Sequence, residues 1–206
     1  MEKLFIFTRY PEPGHTKTRL IPALGAEGAA NLHRQMAESI LATAQQLSGY
    51  STPPLSIDIR YTGSSLEQMQ NWLGQDLTYT LQGIGDLGER LIGAFSTAFA
   101  QGQARAVAIG TDCPSVTVEI LTQAFEQLQR YDVVLGPARD GGYYLVGLKQ
   151  SVPQLFQGID WGTERVFQQT VEICQQLQLD WAQLSQLTDI DRPEDLSDLP
   201  EDLKFS

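Results

Sequence analysis

Lys3-Leu4-Phe5-Ile6-Phe7-Thr8-Arg9-Tyr10-Pro11-Glu12-Pro13-Gly14-His15-Thr16-Lys17-Thr18-Arg19-Leu20 decides how this chain is read. Leu4 to Phe7 is an apolar run of strand length with no polar alternation, the pattern of a strand covered on both faces. The residues after it form a loop. Two prolines stiffen this loop, Gly14 permits a turn, and Arg9, Lys17 and Arg19 make it cationic. In open parallel sheets ligands gather beyond the carboxyl ends of strands, so a basic loop at that position predicts a site for phosphates. Lysine would supply a mobile point charge and arginine a fork that matches phosphate oxygens. A solvated basic loop with scattered ion pairs is the alternative. The loop is not a Walker loop, because the GxxxxGK[ST] spacing is absent.

Runs of strand length recur at Leu55 to Tyr61, Leu77 to Leu81, Ala106 to Ile109, Val133 to Leu135 and Tyr143 to Leu148. Helical periodicity separates them. Ala29, Leu32, Met36, Ile40 and Leu47 share one face, as do Val118, Leu121, Phe125 and Leu128, and a further helix is expected from about Thr163 to Leu177. The Gln-rich stretch from Gln168 to Gln186 is read as a solvated helix face. This alternation predicts the α/β class, a mostly parallel sheet flanked by helices. No repeat or linker interrupts it, so residues 1–206 are expected to form a single domain.

The chain has 206 residues, 42% of them hydrophobic, and a formal net charge of -11. That charge repels a phosphate backbone and no basic stripe with interleaved aromatics appears, which argues against nucleic acid as a partner. No apolar run approaches the ~20 residues of a membrane span. The first residues lack the pattern of a secretory signal, and Cys113 and Cys174 suit reduced thiols, so a cytoplasmic location is expected. A homodimer stays open. Against the acidic whole, Arg9, His15, Lys17 and Arg19 lie within eleven residues that contain no acid but Glu12.

Four other segments carry candidate chemistry. Gly83-Ile84-Gly85-Asp86-Leu87-Gly88-Glu89-Arg90 leads into a helix; Gly85 could let backbone approach a base or ribose, and Asp86 could equally be a cap. In Ile109-Gly110-Thr111-Asp112-Cys113-Pro114 an apolar strand ends on a single carboxylate, suited to hold Mg²⁺ or Mn²⁺ against phosphates or to cap a helix near Ser115. Asp140-Gly141-Gly142 lies between two strands, either admitting a ligand close to the backbone or making a hairpin turn. Asp189-Ile190-Asp191 places two carboxylates on one side of a strand-like triplet, either of which could complete a metal site with Asp112.

Taken together, Phe7-x-x-Tyr10-Pro11-x-Pro13-Gly14-x-x-Lys17-Thr18-Arg19-Leu20, Gly85-Asp86-Leu87-Gly88-Glu89-Arg90, Gly110-Thr111-Asp112-Cys113-Pro114, Asp140-Gly141-Gly142-Tyr143-Tyr144-Leu145 and Asp189-Ile190-Asp191-x-Pro193-Glu194-Asp195-Leu196 resemble the bacterial DUF2064 group of glycosyltransferase-like proteins. The resemblance runs in order along nearly the whole chain. It implies the GT-A fold of nucleotide-diphospho-sugar transferases; some members are labelled arsenosugar-biosynthesis glycosyltransferases. More distant similarity runs to phospholactate and molybdenum-cofactor guanylyltransferases. By this resemblance Asp112 and Asp191 would bind the metal, and Lys17 and Arg19 would face phosphate. Arg9 stands where many relatives have lysine, and Thr111-Asp112-Cys113 is not the Asp-x-Asp of many GT-A enzymes.

The expected function is metal-dependent glycosyl transfer from a nucleotide-sugar to a small-molecule acceptor, with Lys17, Arg19 and Asp112 as the catalytic set. Arg9, Gly14, Gly85, Asp86, Asp140, Gly141 and Gly142 are the further candidates for substrate binding. The alternatives are nucleotidyl transfer from a nucleoside triphosphate with release of pyrophosphate, and a non-catalytic nucleotide-binding protein. If Asp112 and Asp191 share a cation, their carboxylates should lie within about 8 Å of each other.

Overall fold

The computed structural model describes residues 1–203; the last three positions of the expected domain lie outside the described residues. Seven strands form one sheet: β1 (Glu2–Arg9), β2 (Leu55–Thr62), β3 (Thr78–Leu81), β4 (Arg105–Gly110), β5 (Val133–Pro137), β6 (Tyr143–Leu148) and β7 (Trp181–Gln183). Their order is β3-β2-β1-β4-β6-β5-β7. All neighbours are parallel except that β6 runs antiparallel to β4 and β5. The helices are α1 (Ile21–Tyr50), α2 (Leu66–Leu73), α3 (Leu87–Ala100), α4 (Val118–Gln127) and α5 (Val166–Gln176). Among the described residues no helix is long and apolar enough to cross a membrane.

The unbroken apolar run of β1 follows from helices on both faces of the sheet. Leu4 and Ile6 pack into a core with Ile40 and Ala44 of α1 and Leu121 and Phe125 of α4. Phe5 points the other way, against Leu91 and Phe95 of α3, with Val171 and Cys174 of α5 in the same cluster. A third cluster joins Leu20, just before α1, and Leu32 and Met36 within it to Ile190, Leu199 and Leu203. This contact carries the C-terminal segment back to the loop after β1.

Two expectations need correction. The Gln-rich stretch is not helical to its end: α5 stops at Gln176 and Gln178 takes φ 55. The Leu179 amide then donates to Cys174 O (2.9 Å) and the Gln178 amide to Gln175 O (3.1 Å), a Schellman closure that turns the chain into β7. Nor is Asp189-Ile190-Asp191 in a strand. Ile190 instead makes one backbone bond across to the loop after β4, its amide donating to Asp112 O at 2.8 Å.

Successive strands run outward from β1 through β2 to β3, and the chain then crosses back to place β4 on the other side of β1. The strand order therefore reverses between β1 and β4. Ligands bind at such a switch point in open α/β sheets, and the loops leaving β1 and β4 carry Lys17 and Asp112.

Candidate active site

Leaving β1, the loop is held by Thr16, whose hydroxyl donates to Tyr10 O (3.1 Å) and accepts from the Glu12 amide (3.2 Å). Lys17 follows in the left-handed region at φ 50, ψ 46, a conformation costing a non-glycine residue about 1–2 kcal/mol. The turn aims a lysine inward. Its side chain is only 5% exposed, with Nζ 2.7 Å from Asp112 Oδ1 and 3.6 Å from Asp191 Oδ1. The same ammonium donates to Ile190 O at 2.6 Å. Arg19, largely exposed, pairs with the other oxygen of Asp191. Ile190 thus ties the C-terminal segment to both loops: its amide binds Asp112 and its carbonyl binds Lys17.

The sum of the two Lys17 distances, 6.3 Å, is an upper limit on the separation of Asp112 Oδ1 from Asp191 Oδ1. Burial in the cleft floor would raise the Asp112 pKa, but the Lys17 charge and hydrogen bond outweigh it and hold the carboxyl below the usual aspartate value. Despite the protein atoms around it, 55% of this side chain remains accessible. Asp112 does not cap α4, because the Thr117 hydroxyl accepts from the Ile120 amide there.

Among the described residues no group of three or more His, Cys, Asp or Glu side chains is arranged to hold a metal ion. The feature present is an acid pair with one carboxylate open to the cleft. Mg²⁺ commonly uses one or two carboxylates and takes its other ligands from phosphate and water. The residues therefore fit a divalent cation that arrives with a phosphate ligand better than one held by protein alone.

Two cavities flank Asp112. One, of about 360 Å³, is bordered by Arg9, His15, Lys17, Arg19, His33 and Asp191. The other, also of about 360 Å³, has walls that include Phe7, Leu91, Tyr143 and Trp161. A wider polar depression of about 710 Å³ adjoins both and is bordered by Arg19, Arg139, Asp140 and Asp191.

His33 is 4% exposed, and its Nε2 lies 2.9 Å from Arg9 O, which makes Nε2 the protonated nitrogen of a neutral ring. Nδ1 is buried without a hydrogen-bond partner. Burial, opposed by the bond to Arg9 O and the Asp112 charge, lowers its pKa. His33 thereby fixes the carbonyl from which the basic loop departs. Burial pushes the Cys113 thiol far up, so it stays protonated and is a poor nucleophile.

The family described as an uncharacterized protein conserved in bacteria, DUF2064, matches residues 40–163. The chain belongs to the DUF2064 family. A protein from Desulfovibrio desulfuricans G20, provisionally named a nucleotide-diphospho-sugar transferase, is 36% identical over 93% of this chain and 82% of its own, with a TM-score of 0.86. Lower identity accompanies a CMP:2-keto-3-deoxy-manno-octonic acid synthetase in complex with CTP, at 10% over 96% of this chain and 95% of its own, TM-score 0.57. Rv0371c of Mycobacterium tuberculosis H37Rv, in complex with manganese, is 12% identical over 96% of this chain and 97% of its own, TM-score 0.56. These last two show a shared fold. No curated protein matches the chain.

In this DUF2064 protein the candidate residues fall into three sets. Arg9, Lys17, Arg19, Asp112 and Asp191 surround the cationic cavity. Asp140 and Gly142 border the apolar one, but Gly141 does not open onto it: an added Cβ would stand 2.2 Å from Glu164 O, so its backbone packs against that segment. The hairpin reading thus accounts for Gly141. Asp86 and Gly85 sit at the start of α3, where the Asp86 carboxylate accepts from the Glu89 amide (2.9 Å) and Glu89 reaches back to the Asp86 amide (3.0 Å) over Gly85. A capping box accounts for both. Gly14 turns the loop at φ 81 with open space around it.

Sequence reasoning missed His33 and Trp161. His33 lies four residues after Ala29 on the buried face of α1, and a polar residue on an apolar face was its only signal. Trp161 lies in Asp160-Trp161-Gly162-Thr163, where a large aromatic between turn residues could have been noticed.

Proposed function

We propose that this protein is a metal-assisted transferase that moves a sugar from a nucleotide-sugar to a small acceptor. The observation that carries the reading is Lys17, buried yet flexible-stemmed, at the switch point between Asp112, Asp191 and a cavity bordered by Arg9 and Arg19.

The donor's diphosphate would enter the cationic cavity, where Arg9 and Arg19 take phosphate oxygens as charge-assisted hydrogen bonds. Lys17 borders the same cavity and would add its charge there. An acceptor hydroxyl attacks the anomeric carbon as the bond from that carbon to the diphosphate oxygen breaks. Negative charge then grows on the diphosphate, and fixed cations beside it stabilise the transition state more than the ground state. The acceptor's proton passes to a carboxylate of the apolar side, where Asp140 and Asp189 are available. Asp112 and Asp191 would hold Mg²⁺ or Mn²⁺, which supplies Lewis-acid neutralisation of the diphosphate.

Nucleotidyl transfer is the second reading, favoured by the basic loop directly after β1, which could hold a leaving pyrophosphate. Incubation of the protein with nucleotide-sugars or nucleoside triphosphates, with Mg²⁺ or Mn²⁺, separates the readings. Thermal stabilisation identifies the nucleotide that binds the native state. Nucleoside diphosphate released from a nucleotide-sugar supports glycosyl transfer, and pyrophosphate released from a triphosphate overturns it in favour of nucleotidyl transfer.

A further inference from the structure

The apolar cavity has an unusual combination of walls. Among the described residues that border it there is no lysine, arginine or histidine, while Asp112, Asp140 and Asp189 are among them, with Asp112 paired to Lys17. Trp161 is one of its lining residues. A Cβ on Gly88 would stand 2.8 Å from Trp161 Nε1, so the ring lies directly over α3 where a glycine leaves room. Tyr143 meets it edge to face, with centroids 6.2 Å apart.

The turn that bears Trp161 is fixed from two sides. The Asp160 amide donates to Gln169 Oε1 at 2.9 Å, and Gln169 Nε2 donates back to Asp160 Oδ2 at 2.7 Å, which ties the turn to α5. Glu164, three residues on, is packed against Gly141 of the hairpin. The indole therefore forms a wall before any ligand arrives, and a preformed aromatic face loses little entropy on binding. The volume, about 360 Å³, is at the lower end of small-molecule sites, which run from ~300 Å³ upward.

We infer that this cavity is the acceptor compartment and that it selects a neutral or cationic hydroxyl-bearing molecule with an apolar face, stacked on Trp161, while rejecting phosphorylated molecules. The inference rests on the transferase reading for its role, but its chemistry follows from the walls. Hydroxyl or ammonium groups would donate to Asp140 and Asp189. A phosphate would face the Asp140 and Asp189 carboxylates with no cation on the walls, and like charges brought together out of water repel strongly. Two charge environments thus meet at Asp112: cations on the side of the diphosphate, acids on the side of the acceptor.

The test uses phenyl β-D-glucopyranoside, its 2-amino-2-deoxy analogue and its 6-phosphate, each titrated calorimetrically into the protein with and without Mg²⁺ and pyrophosphate. The neutral and amino probes should bind, and the 6-phosphate about tenfold more weakly or not at all. Trp161→Ala should weaken the neutral probe by about tenfold, Trp161→Phe should restore most of the loss, and pyrophosphate binding should be unchanged in both variants. Preference for the 6-phosphate, full affinity in Trp161→Ala, or no binding by any probe to a protein that binds pyrophosphate overturns the inference. Failure of pyrophosphate to bind would count against the transferase reading, while the ranking of the three probes would still decide this one.

Discussion

Lys17 Nζ and Asp112 Oδ1 are 2.7 Å apart, joining the loop after β1 to the loop after β4 across the point where the sheet changes direction. The lysine reaches that position from a left-handed backbone at φ 50. Strain of this kind persists where surrounding structure fixes it, and it clusters at functional sites.

Lys17→Ala is expected to weaken binding of pyrophosphate or a nucleoside diphosphate by about 1–3 kcal/mol, the scale of one charged hydrogen bond, as read by calorimetry at moderate salt. Lys17→Gly should lose the same affinity but unfold at higher urea than Lys17→Ala, by about 1 kcal/mol, because glycine relieves the left-handed backbone. Equal stability of the two would show that the loop relaxes once the ammonium is gone.

Stability should fall as acid reaches His33. Its pKa is lowered in the folded protein from the ordinary 6.5, by burial above all. The unfolded chain then binds the proton more readily, so the stability associated with a neutral His33 is present above pH 6.5 and is lost as pH falls toward the folded value. Urea titrations at stepped pH from neutral downward should show this slope in the wild type and a flatter one in His33→Phe.

Asp189 should behave with the opposite sign. Burial, with the Asp140 charge second, raises its pKa above the ordinary 3.8. Its contribution is fully present below that value and is lost as pH rises through the folded pKa. Asp189→Asn is therefore expected to raise the thermal midpoint at pH 7 and to give no gain near pH 3.

Gly141→Ala and Gly14→Ala should differ although both have φ above 80°. At Gly141 the new methyl would also meet the Glu164 backbone at 2.2 Å, whereas at Gly14 nothing lies within 4 Å. A loss of about 2–4 kcal/mol at Gly141 against about 1 at Gly14, from urea unfolding, is expected. Similar losses would mean that the Glu164 segment yields easily.

The fold was legible where strand-length apolar runs alternate with helical periodicity: β1 to β6 all fall within a few residues of their expected places. β7 was not, because it has three residues, none fully buried, and follows a helix whose polar face continues smoothly in sequence. The turn between them is set by Gln178 in a left-handed conformation, for which glutamine gives no signal. At the site, the clustering of Arg9, Lys17 and Arg19 against the sign of the chain was readable. The approach of Asp191 to Asp112 was readable only as an expectation, since it depends on Leu20, Ile190 and Leu199 packing together at long sequence separation. Trp161 gave less, because the space over Gly88 that seats it is a property of two packed segments.

Whether Asp112 assists phosphate binding through a divalent cation is decided by titrating a nucleoside diphosphate into wild type and Asp112→Asn with and without Mg²⁺. Wild type should bind about tenfold or more tightly with Mg²⁺, and Asp112→Asn should lose that enhancement while keeping metal-free binding to the basic loop. An undiminished Mg²⁺ enhancement in Asp112→Asn would contradict that role.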